Sequence, residues 1–184
     1  MNTKEVPTIK TERLVLRPFA MSDGSDILEY TNDPEWVRYL VNIPHPFTRK
    51  DAEAFVRRFS DLKSWETLPM FAIVFKEKVI GEIYLNDLNL QHERGELGYD
   101  LSRAYWGKGL ATEASRAVLD WAFQTYNLNR IYATCDPRNN RSHRVLEKLG
   151  MTREGILRSH LKWNGERRDQ VYYGILRDEW LRRG

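Results

Sequence analysis

Long apolar runs are missing from this chain of 184 residues. The longest strongly apolar stretch, Met70 to Phe75, falls far short of the roughly 20 residues a membrane-spanning helix needs. The opening residues Met1-Asn2-Thr3-Lys4-Glu5 carry no apolar core of a signal peptide. Cysteine is nearly absent. Cys135 stands alone, which excludes an internal disulfide and suits a reducing compartment, so a soluble, cytoplasmic protein is expected. No charge of one sign dominates: 29 Lys and Arg oppose 26 Asp and Glu, leaving a net +3. That balance suits an anionic small ligand and gives no footprint for nucleic acid. His45, His92, His143 and His160 stand apart without metal-ligand spacing, so no metal is expected. Repeats, low-complexity tracts and linkers are also lacking. One domain over residues 1–184 is expected, a size able to bury about 70% of its unfolded surface.

Two common phosphate loops are missing as well. A P-loop needs Gly, four residues, then Gly-Lys followed by Ser or Thr; here Lys108 precedes Gly109 and Leu110 follows it. The dinucleotide fingerprint needs a third small residue where Thr112 stands. What is present is Tyr105-Trp106-Gly107-Lys108-Gly109-Leu110-Ala111-Thr112-Glu113-Ala114, two glycines around a lysine directly before a helical pattern. The first N–H groups of a helix have no intrahelical partner, and the helix dipole adds about half a positive charge there. Glycines let a ligand reach that backbone. The segment therefore reads as a site for a phosphate or pyrophosphate; the competing reading, for the segment taken alone, is a Gly-x-Gly pair that only marks a tight turn.

A second segment, Asp136-Pro137-Arg138-Asn139-Asn140-Arg141-Ser142-His143-Arg144-Val145-Leu146-Glu147-Lys148-Leu149-Gly150-Met151, reads as a polar turn, a short helix and a glycine stop. Asn139 or Asn140 can cap it, and Val145, Leu146 and Leu149 share one face. With both segments in view, the chain resembles the GCN5-related N-acetyltransferases, and within them the RimJ/RimL-type branch named for enzymes that acetylate ribosomal protein N-termini. Trp106 to Ala111 falls on that family's acyl-CoA pyrophosphate loop, with Thr112 opening the helix. Asn139, Ser142 and Leu149-Gly150-Met151 fall on its second cofactor segment. Thr11-Glu12-Arg13-Leu14-Val15-Leu16-Arg17-Pro18 at one end and Asp169 to Trp180 at the other also match.

The element pattern is mixed. Thr11 to Arg17 alternates as a first strand, Asp23 to Leu40 holds one or two short helices interrupted at Pro34, and Thr48 with Asp51 forms a capping box for the helix through Phe59. Met70 to Phe75 and Val79 to Leu85 read as a hairpin, and Gly95 to Ser102 as a strand running into the glycine loop. Leu110 to Tyr126 reads as an amphipathic helix and Arg130 to Cys135 as a buried strand. Met151 to Leu161 and Arg168 to Leu176 read as two last strands around Trp163-Asn164-Gly165. This is an α+β or α/β-type mixed domain. The resemblance implies a twisted, mostly antiparallel sheet of about six to seven strands that splays at acetyl-CoA.

Acyl transfer from a thioester to an amine needs a neutral amine, a stabilised oxyanion and a stabilised leaving thiolate. The resemblance puts Tyr99, Asp100 and Leu101 on the strand that pairs with the pantetheine arm and offers an N–H to the thioester oxygen. Trp106, Gly107, Lys108, Gly109, Leu110, Ala111 and Thr112, with Asn139 and Ser142, complete the cofactor residues. Glu96 is the leading general-base candidate, on the strand face it shares with Gly98 and Asp100; the competing reading is a solvated or salt-bridged strand glutamate. Asp100 is a weaker candidate for binding a cationic amine. Many relatives carry a tyrosine acid where Leu146 stands; Ser142 is assigned instead as hydrogen-bond donor to the thiolate, the competing reading being a first-turn helix serine that only satisfies local backbone groups. Bulky Trp106 replaces the usual Gln or Arg, so the loop amides count for more than that side chain. Trp36, Tyr39, His45 and Phe47 fall where the family walls its acceptor site. Cys135, on an apolar strand, reads as a core thiol.

The implied activity is N-acetyl transfer from acetyl-CoA to a primary amine. The acceptor is either a protein N-terminal α-amine, as on ribosomal proteins, or a small amine such as an amino acid, polyamine or antibiotic. A non-catalytic acyl-CoA-binding module is the reading from another class, left open by Leu146. No membrane or direct nucleic-acid partner is expected, and a homodimer would fit the branch.

Overall fold

A computed structural model describes residues 7–40, 43–61, 68–163 and 165–183. The first five residues and Asn164, on which the absent signal peptide and the last turn were read, lie outside the described residues. The strands are β1 (Ile9–Lys10), β2 (Val15–Arg17), β3 (Met70–Phe75), β4 (Lys78–Asn89), β5 (Arg94–Leu101), β6 (Arg130–Cys135), β7 (Thr152–Trp163) and β8 (Glu166–Leu176). The helices are α1 (Gly24–Thr31), α2 (Pro34–Val37), α3 (Arg49–Ser60), α4 (Leu110–Tyr126), α5 (Asn140–Lys148) and α6 (Arg177–Leu181). Among the described residues, no helix is long and apolar enough to cross a membrane.

One sheet carries all eight strands in the order β1-β2-β3-β4-β5-β6-β8-β7. Every pairing is antiparallel except β5 with β6. The α+β expectation holds, with eight strands rather than six to seven. The difference lies at the start of the chain. Thr11 hydrogen-bonds back on itself through Leu14, whose N–H donates to Thr11 Oγ1 at 2.9 Å while Thr11 N–H donates to the Leu14 carbonyl at 3.0 Å. That turn takes up the first residues of the expected Thr11–Arg17 strand and leaves β2 at Val15–Arg17, while β1, at Ile9–Lys10, lies ahead of the expected strand and pairs back on β2.

The period-2 pattern sorts the sheet into two faces. Leu16, Phe71, Ile73, Ile83, Leu85 and Leu97 pack against Leu110, Ala114, Val118 and Ala122 of α4 and Leu146 of α5. Ala72, Val74 and Met70 face the other way, against Ile27 of α1 and Val56 and Phe59 of α3. The helix boundaries follow local chemistry. Pro34 opens α2, where Asp33 Oδ1 accepts the Glu35 N–H at 2.9 Å. Thr48 and Asp51 close a capping box on α3. Gly150, at φ +75°, ends the turn after α5.

The pairing of β5 with β6 positions the site. Among the described residues it spans only Arg94↔Arg130, Gly95↔Ile131 and Glu96↔Tyr132. β5 continues to Leu101 and β6 to Cys135 without further register, so the two strands diverge after Glu96. On its other edge β5 stays paired with β4 through Gly81↔Leu101. That close approach demands glycine at 81: a Cβ there would sit 2.2 Å from the backbone oxygen of Asp100. Gly81→Ala should therefore cost about 1–3 kcal/mol, because the neighbour is rigid backbone. Urea denaturation followed by circular dichroism checks this; a loss below about 0.5 kcal/mol would mean that β4 and β5 can separate locally.

Candidate active site

A cavity of about 380 Å³ opens where the strands part. Its walls are Tyr99, Asp100 and Leu101 of β5, the loop from Tyr105 into α4, the first turns of α5, and Trp36, Tyr39 and Leu40 from α2 and the residues after it. Of the residues singled out from sequence, Tyr99, Asp100, Leu101, Trp106, Gly107, Gly109, Leu110, Ala111, Thr112, Asn139 and Ser142 all line it.

The glycine loop is built as a cradle. Gly107 and Gly109 have φ of +75° and +80°, a region that other residues enter at a cost. Gly109 is the N-cap of α4 and makes no side-chain cap hydrogen bond to the first-turn N–H groups. The opening Thr11-Glu12-Arg13 segment holds the loop from outside. Glu113, in the first turn of α4, accepts from Thr11 Oγ1 at 2.6 Å, from the Arg13 N–H at 2.8 Å and from Arg13 Nε at 2.6 Å. Arg13 Nη1 also donates to the Lys108 carbonyl at 3.0 Å. Burial pushes the Glu113 carboxyl up, but these hydrogen bonds outweigh it and leave the pKa below its ordinary value.

Lys108 is the loop residue that does not line the cavity. Its Nζ donates to the Ala104 carbonyl at 2.9 Å and lies over the Tyr105 ring. Cations that sequence reasoning did not single out do line it: Arg141, Arg144 and Lys148, on one side of α5. Arg141 stacks over Trp106 at 4.1 Å from the ring centroid, and Trp106 Nε1 donates to the Leu101 carbonyl at 2.7 Å. Trp106 thus forms a wall that carries a cation. The signal for those cations was their own i, i+3, i+7 spacing, which puts them on one helix face but does not say what that face meets.

Asn139 caps α5, its Oδ1 accepting the Ser142 N–H at 3.2 Å. Ser142 lines the cavity beside Tyr99, whose buried hydroxyl makes no well-formed hydrogen bond. Burial raises the Tyr99 phenol well above its usual range. Leu146, 1% exposed, packs in the core. Cys135 is buried and its thiol is pushed up to about 12 by burial, in keeping with a core thiol. His143 is tied to Tyr173 Oη at 2.9 Å. Among the described residues, no cluster of acidic, histidine and cysteine side chains could hold a metal ion.

The opposite sheet face carries the carboxylates. Glu96 sits at the crotch where β5 leaves β6, accepting from Thr134 Oγ1 at 2.8 Å and Asn86 Nδ2 at 3.3 Å, and is not among the cavity-lining residues. Asp100 is. Trp36 Nε1 donates to Asp100 Oδ1 at 3.1 Å, which fastens α2 across the cavity. Glu82, directly opposite Asp100 on β4, touches it carboxyl to carboxyl. Burial raises the Asp100 pKa to about 7, and burial with the Asp100 charge raises Glu82 well above the carboxylate range. Sequence reasoning missed Glu82, although one acid between Gly81 and Ile83 in an otherwise apolar strand was the available signal. Of the expected acceptor-wall residues, Trp36 and Tyr39 line the cavity, Phe47 packs in the α1–α3 core and His45 is exposed.

Strands that part beside an amide-rich helix start, with cations on one side and carboxyls on the other, define an acyl-CoA-dependent transferase domain. The family model described as "Acetyltransferase (GNAT) domain" matches residues 13–152. The chain therefore belongs to the GNAT family of N-acetyltransferases and uses acetyl-CoA. It is 37% identical over 176 residues to the uncharacterized N-acetyltransferase p20 of Bacillus licheniformis, covering 94% of this chain and 98% of that one. It is 26% identical over 166 residues to the spermidine N(1)-acetyltransferase of Escherichia coli, covering 90% and 87%. The solved ribosomal-protein-S5-alanine acetyltransferase of Vibrio fischeri superposes with a TM-score of 0.82 at 28% identity, over 95% of this chain and 98% of that one.

The raised carboxyls have a consequence for stability. Unfolded Asp100 ionises near pH 4, whereas folded Asp100 does so at about 7. Between those values the folded state binds more protons, so stability falls as pH rises through that window. Asp100→Asn keeps an acceptor for Trp36 and removes the charge. It should raise the Tm more at pH 8.5 than at pH 5.5, a difference that scanning calorimetry at both pH values would read; an equal shift at both would place the Asp100 pKa near its unfolded value.

Proposed function

We propose that this chain transfers the acetyl group of acetyl-CoA to a primary amine, with the pyrophosphate on the Gly107–Thr112 amides and the thioester between β5 and β6. One observation carries the reading: a single cavity joins the amide cradle to the carboxyl-bearing face across a strand that has let go of its neighbour. Arg141, Arg144 and Lys148 supply positive charge for the CoA phosphates. The free edge of Tyr99 to Leu101 takes the pantetheine arm and offers an N–H to the developing oxyanion, worth a few kcal/mol. Ser142 donates to the departing thiolate in place of the tyrosine that Leu146 displaces. Glu96, the base expected from the sequence, is anchored by Thr134 and Asn86 at the crotch and stands outside the cavity lining.

For the acceptor, the relatives support two classes: a polyamine, as for the spermidine N(1)-acetyltransferase, and a protein N-terminus, as for the S5-alanine acetyltransferase. Both present an ammonium at neutral pH, which matches an acceptor side that carries carboxyls. Thiol release from acetyl-CoA, with spermidine and an alanine-initiated peptide as alternative acceptors, separates the two. Release with neither, together with tight CoA binding, would leave a binding module.

Two variants test the cofactor half. Gly109→Val places a β-branched side chain at φ +80° where the phosphate must approach. It should weaken CoA binding at least about tenfold in calorimetry while circular dichroism stays native; unchanged affinity would remove the loop from the site. Ser142→Ala should lower kcat by about 1–3 kcal/mol, roughly 5- to 150-fold, with little change in acetyl-CoA affinity, since the contact strengthens as sulfur gains charge. A wild-type kcat under rate-limiting chemistry would make solvent the proton donor.

A further inference from the structure

We propose that Asp100 is the base that takes the proton from the acceptor ammonium, with Glu82 as the residue that positions it. This rests on the N-acetyltransferase reading above and goes beyond it in naming a base other than Glu96.

The geometry comes first. Asp100 and Glu82 are cross-strand partners, so their side chains leave the sheet on one face, within touching distance. Asp100 opens onto the cavity, and Trp36 Nε1 fixes one of its oxygens at 3.1 Å. The surroundings are aromatic: Trp36 from α2, Tyr30 from α1 and Tyr84 from β4. The further charges felt by those two phenols are Asp23, Asp26 and Glu96, all acidic. Among the described residues, no arginine or lysine forms an ion pair with either carboxyl. A desolvated carboxylate without a cation is costly, and the cavity is where a cation can come from. A primary ammonium carries the charge complementary to this pair.

The proton inventory follows. Two touching carboxyls cannot both ionise easily. Glu82, raised further by burial and by the Asp100 charge, keeps the shared proton and donates a hydrogen bond to Asp100. That bond, with the one from Trp36, moderates the upward push of burial and leaves Asp100 near 7. A base with that value is half ionised at neutral pH and is strong enough to share an ammonium proton in the transition state. The step balances. The ammonium gives one proton to the Asp100 carboxylate, and the freed lone pair forms the C–N bond to the acetyl carbon. The C–S bond then breaks, the new amide nitrogen loses its second proton to solvent, the CoA thiolate takes up one proton from solvent, directly or by way of Ser142, and Asp100 returns its proton to solvent before the next turnover. Acetyl-CoA and an ammonium become the acetamide, CoA thiol and one released proton.

Tyr84 explains why the pair is held apart from Glu96. Its ring lies beside Gly98, where a Cβ would come within 2.3 Å of it. Along β5 the phenol therefore fills the space between Asp100 and Glu96, and the two acids occupy separate environments.

The test uses the full chain, acetyl-CoA, and whichever of spermidine and the alanine-initiated peptide gives the higher kcat/KM. Asp100→Asn should lower kcat/KM at pH 7 by about 100-fold or more and abolish its acid limb near pH 7, while acetyl-CoA affinity by calorimetry stays within about twofold. Asp100→Glu should recover part of the activity. Glu82→Gln keeps a donor to Asp100 and should keep the acid limb near pH 7. Glu82→Leu removes the donor and should move that limb to higher pH, a shift that a merely structural residue would not produce. Asp100→Asn with wild-type kcat/KM and an unchanged pH profile would overturn the proposal and leave the pair as a fastener of α2. A larger loss in Glu96→Gln than in Asp100→Asn would overturn it too and assign the proton to Glu96. Wild-type protein that binds acetyl-CoA but acetylates neither amine would overturn the transferase reading, and this proposal with it.

Discussion

The divergence of β5 from β6 is the constraint on which the rest of the structure depends. Parallel strands held together along their whole length would bury their backbone groups in each other. Here pairing stops at Glu96↔Tyr132, while both strands run on. Backbone polar groups in a protein interior need partners, and a strand edge without a neighbour is an invitation to one. β4 holds β5 straight on the other side, down to the tight contact of Gly81 with Asp100. The open edge is thus rigid and pre-positioned, the condition for a ligand to pair with it at little entropic cost.

Around that opening, opposite charges are kept on opposite sides of the sheet. The side covered by α4 and α5 holds helix N-terminal amides and the cations of α5. The other face holds Glu82, Asp100 and Glu96 at successive positions of β4 and β5, with Tyr84 between them. In the proposed reaction a polyanion meets an ammonium, and this separation would give each reactant its own side with the thioester as their meeting point. The acidic side costs stability above neutral pH, since burial holds Asp100 far from its solution value. Such a cost at a functional site is a common trade between stability and activity.

Long-range contacts hold the loop and α2 in place. Glu113 gathers Thr11 and Arg13 from the first strands and so fixes the start of α4. Arg103 donates to Asp33 at 2.6 Å and Tyr39 Oη donates to the Arg138 carbonyl at 3.2 Å, so α2 is tied to both ends of the cavity. The Thr-Glu-Arg opening, which in sequence is only a matched motif, acts as a brace on the phosphate loop.

Sequence by itself determined what depends on local chemistry. Helix α4 runs from Leu110 to Tyr126 and β6 from Arg130 to Cys135, as read, because glycines and caps at the boundaries and apolar periodicity between them are local signals. The glycine turn before α4, the Asn139 cap and the Thr48 box were legible for the same reason. Tertiary structure alone decided which strands part, and which acids meet. Glu82 and Asp100 are far apart in the chain and become partners only through the register of β4 on β5. Glu96 shares a face with Asp100 by the period of two along the strand and is the stronger base candidate in sequence, yet pairing with β6 gave it Thr134 while the splay gave Asp100 the cavity. A strand's alternation fixes the face of a residue; only the neighbouring strand fixes its surroundings and hence its proton affinity.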